Sequence, residues 1–244
     1  MKQSLFDIVI IGAGVIGHSI AFRLKQCRPD LNLAVLGDPM NSLMASRAAA
    51  GMLAPFGECS EADRFFRFCR ESLLQYPDFI KDLISTSDIP VHLSMKGSLI
   101  PSSSLGNDWE KRIRFFREEN IPHEIWSPAR CQQLAPALAE SCGEVMWVGE
   151  GQVNNREMHD ALVAASRKLG VEILEKNVTG FVHDSSIVEA AVTSTLEVRS
   201  QKFILASGSW SSQLGDALDV SLPLKPIKGQ MCRVQVEDDQ LDYT

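Results

Sequence analysis

Residues 7–17 read DIVIIGAGVIG, and this stretch decides the fold. The β-branched run at 8–11 is typical of a strand that is buried on both faces. It passes directly into a G-x-G-x-x-G turn formed by Gly12, Gly14 and Gly17. In such a turn the first glycine permits the tight bend, the second lets a pyrophosphate approach the backbone, and the third lets the next helix pack on the sheet. The stretch therefore predicts a strand, a pyrophosphate-binding turn and a helix N-terminus.

The residues that follow complete a strand–helix–strand unit. Apolar residues recur at helical spacing from Ile16 to Leu24, and residues 33–36 (LAVL) form a second buried strand. The unit has about the 30 residues expected of a β-α-β motif. An acidic residue at the end of the second strand commonly binds the ribose hydroxyls. Here that strand ends in Gly37 and then Asp38, so Asp38 either binds the ribose one position late or is an ordinary turn residue.

The rest of the chain predicts elements of mixed type. Residues 48–53 (AAAGML) have little side-chain bulk, so they either form a loop in close contact with a flat ligand or begin a buried helix. We expect a helix to begin after Ser60 and to end or kink at Pro77. Short strands and helices between residues 91 and 148 lack β-α-β regularity, whereas residues 203–206 again form a buried strand.

The composition excludes several classes of protein. The chain has 244 residues, and 24 lysines and arginines against 31 aspartates and glutamates give a net charge of −7, which argues against a nucleic-acid partner. Six cysteines and five histidines are scattered without metal-ligand spacing, so we expect no metal site and free thiols in a cytoplasmic protein. No stretch reaches the ~18 apolar residues of a membrane span, so we expect no membrane association.

Several of these segments occur in the same order in a known family. They are the glycine turn, the alanine run followed by residues 58–66, the GQV segment at 151–153, the SGSWS turn at 207–211 and the PIKGQ segment at 226–230. Together they resemble the D-amino acid oxidase superfamily of FAD-dependent oxidoreductases. The best match within it is the glycine oxidase family of thiamin biosynthesis.

This resemblance implies an α/β fold with two interleaved domains. Residues 1–88 and 149–225 would form a doubly wound, Rossmann-like FAD-binding domain. Residues 89–148 and 226–244 would belong to an inserted, mixed α+β substrate domain. Members of the family continue past the equivalent of Thr244, so we expect the C-terminal part, with the substrate-binding arginine, to be missing and this chain alone to be inactive.

The resemblance also implies an FAD site, for which the candidate residues are Gly12, Gly14, Val15, Ile16, Gly17, Asp38, Ala45, Ser46, Ala50, Gly51, Met52, Val178 and Gly208. Val15 and Ile16 would lie over the pyrophosphate, and Ala45 and Ser46 near the phosphates. Residues 50–52 would border the isoalloxazine, and Val178 the adenine. No side chain is implied as a catalytic group.

The implied activity is the oxidation of a small amino acid or amine to its imine, with oxygen as the electron acceptor. A sarcosine or D-amino acid oxidase or dehydrogenase of the same superfamily is one alternative. Alternatives of other classes are an NAD-dependent dehydrogenase and a non-catalytic nucleotide-binding fragment. The irregular middle strands argue against the NAD-dependent enzyme, which predicts a second regular β-α-β half. The substrate and the oligomeric state, including a homo-oligomer, stay open.

Overall fold

The computed structural model describes residues 5–41, 44–138, 142–184 and 187–232. The helices are α1 (Val15–Cys27), α2 (Ala45–Ala48), α3 (Pro55–Glu58), α4 (Arg64–Ser87), α5 (Ser102–Leu105), α6 (Trp109–Glu118), α7 (Pro128–Leu134), α8 (Asn155–Lys168) and α9 (Ser211–Asp216). The strands are β1 (Phe6–Ile11), β2 (Leu33–Leu36), β3 (Met52–Leu53), β4 (Leu93–Ser94), β5 (Ser98–Pro101), β6 (His123–Trp126), β7 (Val145–Val148), β8 (Gly151–Val153), β9 (Glu172–Leu174), β10 (Val178–His183), β11 (Val188–Thr193) and β12 (Glu197–Leu205). Turns of 3₁₀ helix cover Gly106–Asp108 and Gly208–Trp210.

The chain divides into two compact units. The first unit contains Met1–Ala49, Asp82–Pro90 and Asn155–Met231, and the second contains Ala50–Lys81, Val91–Asn154 and Cys232–Thr244. These boundaries differ from the four segments predicted above, because residues 50–81 and 149–154 group with the second unit and residues 89–90 and 226–231 with the first. Which unit binds cofactor and which binds substrate stays a prediction. Residues 233–244 of the predicted last segment lie outside the described residues.

The first unit is built on one mixed sheet with the strand order β10-β11-β12-β1-β2-β9. Strands β12, β1, β2 and β9 are parallel, whereas β10 and β11 pair antiparallel and join the edge of β12. Strand β2 is buried at every position, as its unbroken apolar sequence predicts. The predicted α/β fold with a doubly wound, Rossmann-like domain is confirmed.

Helix α1 covers this sheet in a way that its sequence pattern only partly predicts. Its buried positions include Ala21 and Phe22 but also His18 and Lys25, whereas Ile16 is 64% exposed. Lys25 is tolerated there because its ammonium group donates to the carbonyls of Pro29 and Leu31, at 2.7 and 3.0 Å. Ile16 is exposed because it lies in the first turn of the helix, at the edge of the sheet.

The second unit is an α+β assembly with two small antiparallel sheets. Their strand orders are β3-β8-β4 and β5-β7-β6. The core of this unit is aromatic, with Phe66 and Phe116 fully buried beside Trp109 and Met146. Short strands with aromatic and β-branched residues suit such a half-buried sheet surface, which is how the sequence predicts them.

The expected start of helix α4 is wrong and the helix does not end at Pro77, whereas the alternative of a kink at Pro77 stays a prediction. The helix begins at Arg64 rather than just after Ser60, because the Asp63 carboxylate accepts a hydrogen bond from the Phe66 N–H at 2.7 Å and caps the first turn. It continues through Pro77 to Ser87. Buried apolar residues before and after the proline, Leu73 and Ile80, stabilise the helix across the missing hydrogen bond.

No helix in the described ranges is long and apolar enough to cross a bilayer. The same ranges contain no group of three or more histidine, cysteine or acidic side chains that could bind a metal ion.

The turn after β1 depends on a glycine at position 12. Gly12 has φ +121°, and a Cβ atom there would lie 2.2 Å from the carbonyl oxygen of Ala206, at the end of β12. We expect Gly12→Ala to lower the free energy of unfolding by about 3 kcal/mol, since it adds both backbone strain and a clash with backbone.

Gly180 in β10 is the matched control, because an added Cβ there meets nothing within 4 Å. Gly180→Ala should change the free energy of unfolding by less than about 1 kcal/mol. Urea unfolding followed by circular dichroism measures both. Equal stabilities of the two variants would contradict the assigned contact with Ala206.

Candidate functional site

A cavity of about 490 Å³ lies in the first unit, across the carboxyl ends of the parallel strands. Its walls include the residues that follow these strands: Gly12–Ile16 after β1, Gly37 and Asp38 after β2, Lys176–Val178 after β9 and Ala206–Trp210 after β12. After β1 the chain passes through α1 into β2, which lies beside β1 on one side, while β12 lies beside β1 on the other side. In open α/β sheets ligands bind at such a point, outside the carboxyl ends of the strands.

The wall after β1 is the glycine turn with the N-terminus of α1. Gly14 caps this helix in an extended conformation, with no side chain between the turn and the cavity. The Val15 N–H donates to the Ser46 hydroxyl at 3.1 Å, and a Cβ on Gly14 would also lie 3.1 Å from that hydroxyl. Backbone N–H groups and a partial positive charge at a helix N-terminus favour a phosphate group.

The wall after β2 shows why no acidic residue stands at position 37. Gly37 has φ +142°, and a Cβ there would lie 2.9 Å from the Ala13 nitrogen. Any side chain at this position is therefore strained. The acid stands one residue later, where Asp38 is exposed, borders the cavity and accepts a hydrogen bond from the Met40 N–H at 2.8 Å. Asp38 is thus both a turn residue and a cavity residue.

The structure brings most of the predicted site residues together. The ones that line the cavity are Gly12, Gly14, Val15, Ile16, Asp38, Ala45, Ser46, Val178 and Gly208. Gly17 lies behind the turn, where an added Cβ would be 1.9 Å from the Gly12 carbonyl oxygen, so it sets the packing of α1. Ala50, Gly51 and Met52 belong to the second unit, where Met52 pairs with Gln152 of β8.

Two fully buried histidines lie beneath the glycine turn, on α1 and α8. The Nδ1 atom of His18 lies 3.0 Å from the Ser166 hydroxyl, and its ring is 5.9 Å from that of His159, edge to face. Burial, together with the nearby His159 and Arg167, lowers the pKa of His18 to about 3. Burial also lowers the pKa of His159. Both side chains are therefore neutral near neutral pH.

The segment that follows the alanine run is held by charged groups within the second unit. The fully buried Glu150 accepts hydrogen bonds from the N–H groups of Phe56 and Gly57, at 2.8 and 3.2 Å. Burial raises the pKa of Glu150, and these two hydrogen bonds oppose the increase. The Arg112 guanidinium donates to the carbonyls of the same turn, including that of Cys59 at 2.6 Å. The turn at Pro55–Glu58 therefore has partners for both its N–H and its C=O groups.

Sequence patterns alone do not identify His159, Glu150 or Arg112. Each of them contacts backbone that is remote in the sequence, and none stands in a motif. The only signal was their chemistry: a histidine on the apolar stripe of α8 and a glutamate between two glycines.

A family model described as FAD dependent oxidoreductase matches residues 7–243. Among curated proteins, the bifunctional protein ThiO/ThiG of Trichormus variabilis is 32% identical over 95% of this chain and 34% of its own length. The glycine oxidase of Geobacillus kaustophilus is 26% identical over 98% of this chain and 64% of its own length. The chain thus spans between one third and two thirds of the length of these relatives.

The fold is also similar to solved structures. The crystal structure of glycine oxidase from Geobacillus kaustophilus aligns with a TM-score of 0.82 and 27% identity, over 89% of this chain and 59% of that one. A glycine oxidase from Bacillus cereus aligns with a TM-score of 0.77 and 23% identity, over 86% of this chain and 57% of that one, which shows likeness of fold.

The buried histidines predict a loss of stability in acid. The unfolded chain binds a proton at His18 below its ordinary pKa of 6.5, whereas the folded chain binds it only near pH 3. The contribution of this neutral side chain is therefore complete above pH 6.5 and is lost as the pH falls towards 3. Over that range we expect His18 to remove about 3 kcal/mol of stability by about pH 4.

His18→Leu is the variant that isolates this effect, because it removes the imidazole and leaves the carboxylates that also titrate in acid. Urea unfolding of both proteins across this pH range should give a shallower decline for the variant. Parallel pH profiles would mean that His18 has the same pKa in the folded and the unfolded chain.

Proposed function

The chain belongs to the FAD dependent oxidoreductase family, and we propose that its protein oxidises a small amino acid or amine to the imine in the manner of a glycine oxidase, with FAD in the cavity of the first unit. The proposed electron acceptor is oxygen. The observation that carries this proposal is the cavity itself, which joins a glycine turn and a helix N-terminus to three further strand ends.

The residues at one end of the cavity fit a pyrophosphate. Gly14 leaves room for the ligand where any Cβ would approach the Ser46 hydroxyl. The N-terminus of α1 supplies backbone N–H groups and a partial positive charge to that space. Ala45 and Ser46 border it from the opposite wall. In the proposed complex these groups bind the phosphates without a positively charged side chain.

The other walls fit a nucleoside. Asp38 follows β2 and is the acidic group available for the ribose hydroxyls. Asn177 and Val178 lie after β9, and we propose that Val178 borders the adenine. Apolar and amide groups of this kind suit a flat aromatic base.

When bound, FAD supplies a two-electron oxidant that takes a hydride from the substrate carbon bearing the amine. The part of this chain that we assign to the reaction orients the cofactor. We propose that Ala50, Gly51 and Met52 border the flavin ring, where their small bulk allows close approach. All six cysteines are free thiols, which supports a cytoplasmic location for the protein.

The cofactor and the reaction can be tested on one preparation. We expect the purified protein to show a flavin absorption spectrum. The apoprotein should regain this spectrum when FAD is added and should not bind NAD. Trp210 lines the cavity and is 48% exposed, so FAD should quench its fluorescence. Trp210→Phe is the control, because it should keep binding FAD while part of the quenching is lost.

For the reaction, formation of peroxide and of the keto acid or aldehyde is measured with glycine, sarcosine and D-alanine, on this chain and on a version extended to the natural stop codon, and we expect turnover only by the extended version. We expect glycine to be the best substrate of the three. Faster turnover of sarcosine or D-alanine would favour the alternative oxidases. Binding of NAD with no affinity for FAD would exclude the proposal altogether.

The role of Asp38 generates a separate prediction. Asp38→Ala should weaken FAD binding by about 1–2 kcal/mol, which corresponds to the loss of one hydrogen bond to a charged group. Asp38→Asn is the matched control, since its side-chain oxygen can still accept from the Met40 N–H. Titration of both apoproteins with FAD gives the dissociation constants. An unchanged constant for Asp38→Ala would make Asp38 a turn residue alone.

A further inference from the structure

The first two turns of α8 contact helix α2, whose residues Ala45 and Ser46 form one wall of the cavity. The Asn155 side-chain amide donates to the Ser46 carbonyl at 2.6 Å, and the Arg156 side chain donates to the Arg47 carbonyl at 3.2 Å. The Arg47 guanidinium in turn forms an ion pair with Asp160. Arg47 therefore directs its charge towards α8, and it is not among the residues that line the cavity.

The same helix also contacts the opposite wall, through His159. Its Nε2 atom lies 2.9 Å from the carbonyl oxygen of Ala13, the residue between the first two glycines of the turn. Its Nδ1 atom lies 3.3 Å from Nη1 of Arg47. Because a guanidinium can only donate, Nδ1 must accept and the ring proton must be on Nε2. His159 thus donates to the Ala13 carbonyl of the glycine turn and at the same time accepts a hydrogen bond from Arg47 of helix α2.

The two walls that His159 connects also meet each other. The Ser46 hydroxyl accepts a hydrogen bond from the Val15 N–H at 3.1 Å. A small shift of either wall would therefore change both the space at Gly14 and the direction of the N–H groups at the start of α1. The ring of His159 is rigid and fully buried, so it sets the separation of the walls more narrowly than a flexible side chain would.

We propose that His159 is a positioning residue for the cofactor: its Nε2–H fixes the Ala13 carbonyl, its Nδ1 fixes Arg47, and together these contacts set the width of the pyrophosphate end of the cavity. The proposal deepens the function proposed above and rests on it, because the ligand it concerns is the dinucleotide diphosphate. His159 does not touch that ligand.

The test compares His159→Leu with His159→Gln. Leucine fills similar space but leaves the Ala13 carbonyl without this donor and Arg47 with Asp160 but no histidine contact, so we expect FAD to bind about tenfold more weakly. Glutamine can present an amide N–H to Ala13 and an amide oxygen to Arg47, so it should restore most of the affinity. The dissociation constants are measured by flavin titration well below the unfolding temperature.

Ser166→Ala is the matched control on the same face of α8, two turns later. Ser166 is fully buried and bonded to His18, so its loss should lower stability without changing FAD affinity. Weaker binding by Ser166→Ala to the same extent as by His159→Leu would overturn the proposal, because affinity would then follow general stability. Equal affinity of the leucine variant and the wild type would overturn it as well.

A pH profile gives a second readout that a purely structural role would not change. Protonation of His159 places a new N–H at Nδ1, facing the Arg47 guanidinium, while His18 and Asp160 are the other titratable groups beside the ring. The affinity of the wild type for FAD should therefore fall in acid, below the ordinary histidine pKa. His159→Gln should show no such decline, and identical profiles of the two proteins would contradict the assigned tautomer.

Failure of this proposal is distinguishable from failure of the proposed function. If the wild-type protein binds no FAD, the proposed function is wrong, and the His159 variants have no FAD affinity to compare. If the wild type binds FAD and all three variants bind it equally well, the function stands and the positioning role of His159 is wrong.

Discussion

The first unit depends on the contact between the glycine turn and the ends of the neighbouring strands. The Gly12 N–H donates to the Leu36 carbonyl of β2 at 2.8 Å, and the Ala206 N–H after β12 donates to the Ile11 carbonyl at 2.7 Å. These bonds place the turn so close to Ala206 that no Cβ fits at Gly12. The carboxyl ends of β12, β1 and β2 are thereby held side by side at one edge of the sheet. The cavity lies along this edge, so its shape follows from a residue without a side chain.

The same constraint explains the displaced acid at the end of β2. The Gly37 N–H donates to the Leu174 carbonyl of β9 at 3.0 Å, and a Cβ at position 37 would lie 2.9 Å from the Ala13 nitrogen of the glycine turn. Close packing of three backbone segments at this point excludes a side chain at position 37. An acidic group can then approach a ribose only from the next residue. Asp38 has this position, and its bond to the Met40 N–H orients the carboxylate without a contact from the sheet.

What the sequence predicts well is what adjacent residues determine. The strand, turn, helix and second strand over residues 6–36 follow from an apolar run and three spaced glycines, because each element contacts the next. The start of α4 is missed because Asp63, not Ser60, makes the capping bond. Of the two outcomes expected at Pro77, an end is excluded, because apolar residues on both sides of the proline are buried and the helix continues.

The candidate site shows the same division between local and remote contacts. The cavity residues that precede or follow a strand end could be named from motifs and from the family resemblance. The side chains that hold them could not, since Ala13 and His159 are separated by 146 residues and Phe56 and Glu150 by 94. Hydrogen bonds across such distances depend on the folded topology. No periodicity in the chain encodes them.

These remote hydrogen bonds hold in place the segments that have few large side chains to pack. The segment at residues 45–51, which contains helix α2, consists mainly of alanine and glycine, so it buries little apolar surface and cannot be held in place by packing alone. Its backbone carbonyls at Ser46 and Arg47 are instead bound by Asn155 and Arg156. In the second unit, Glu150 and Arg112 bind the backbone of the turn that follows. A segment of small residues is thus held by hydrogen-bonding side chains from elsewhere in the chain, and the buried ring of His159 supplies a donor and an acceptor at fixed separation.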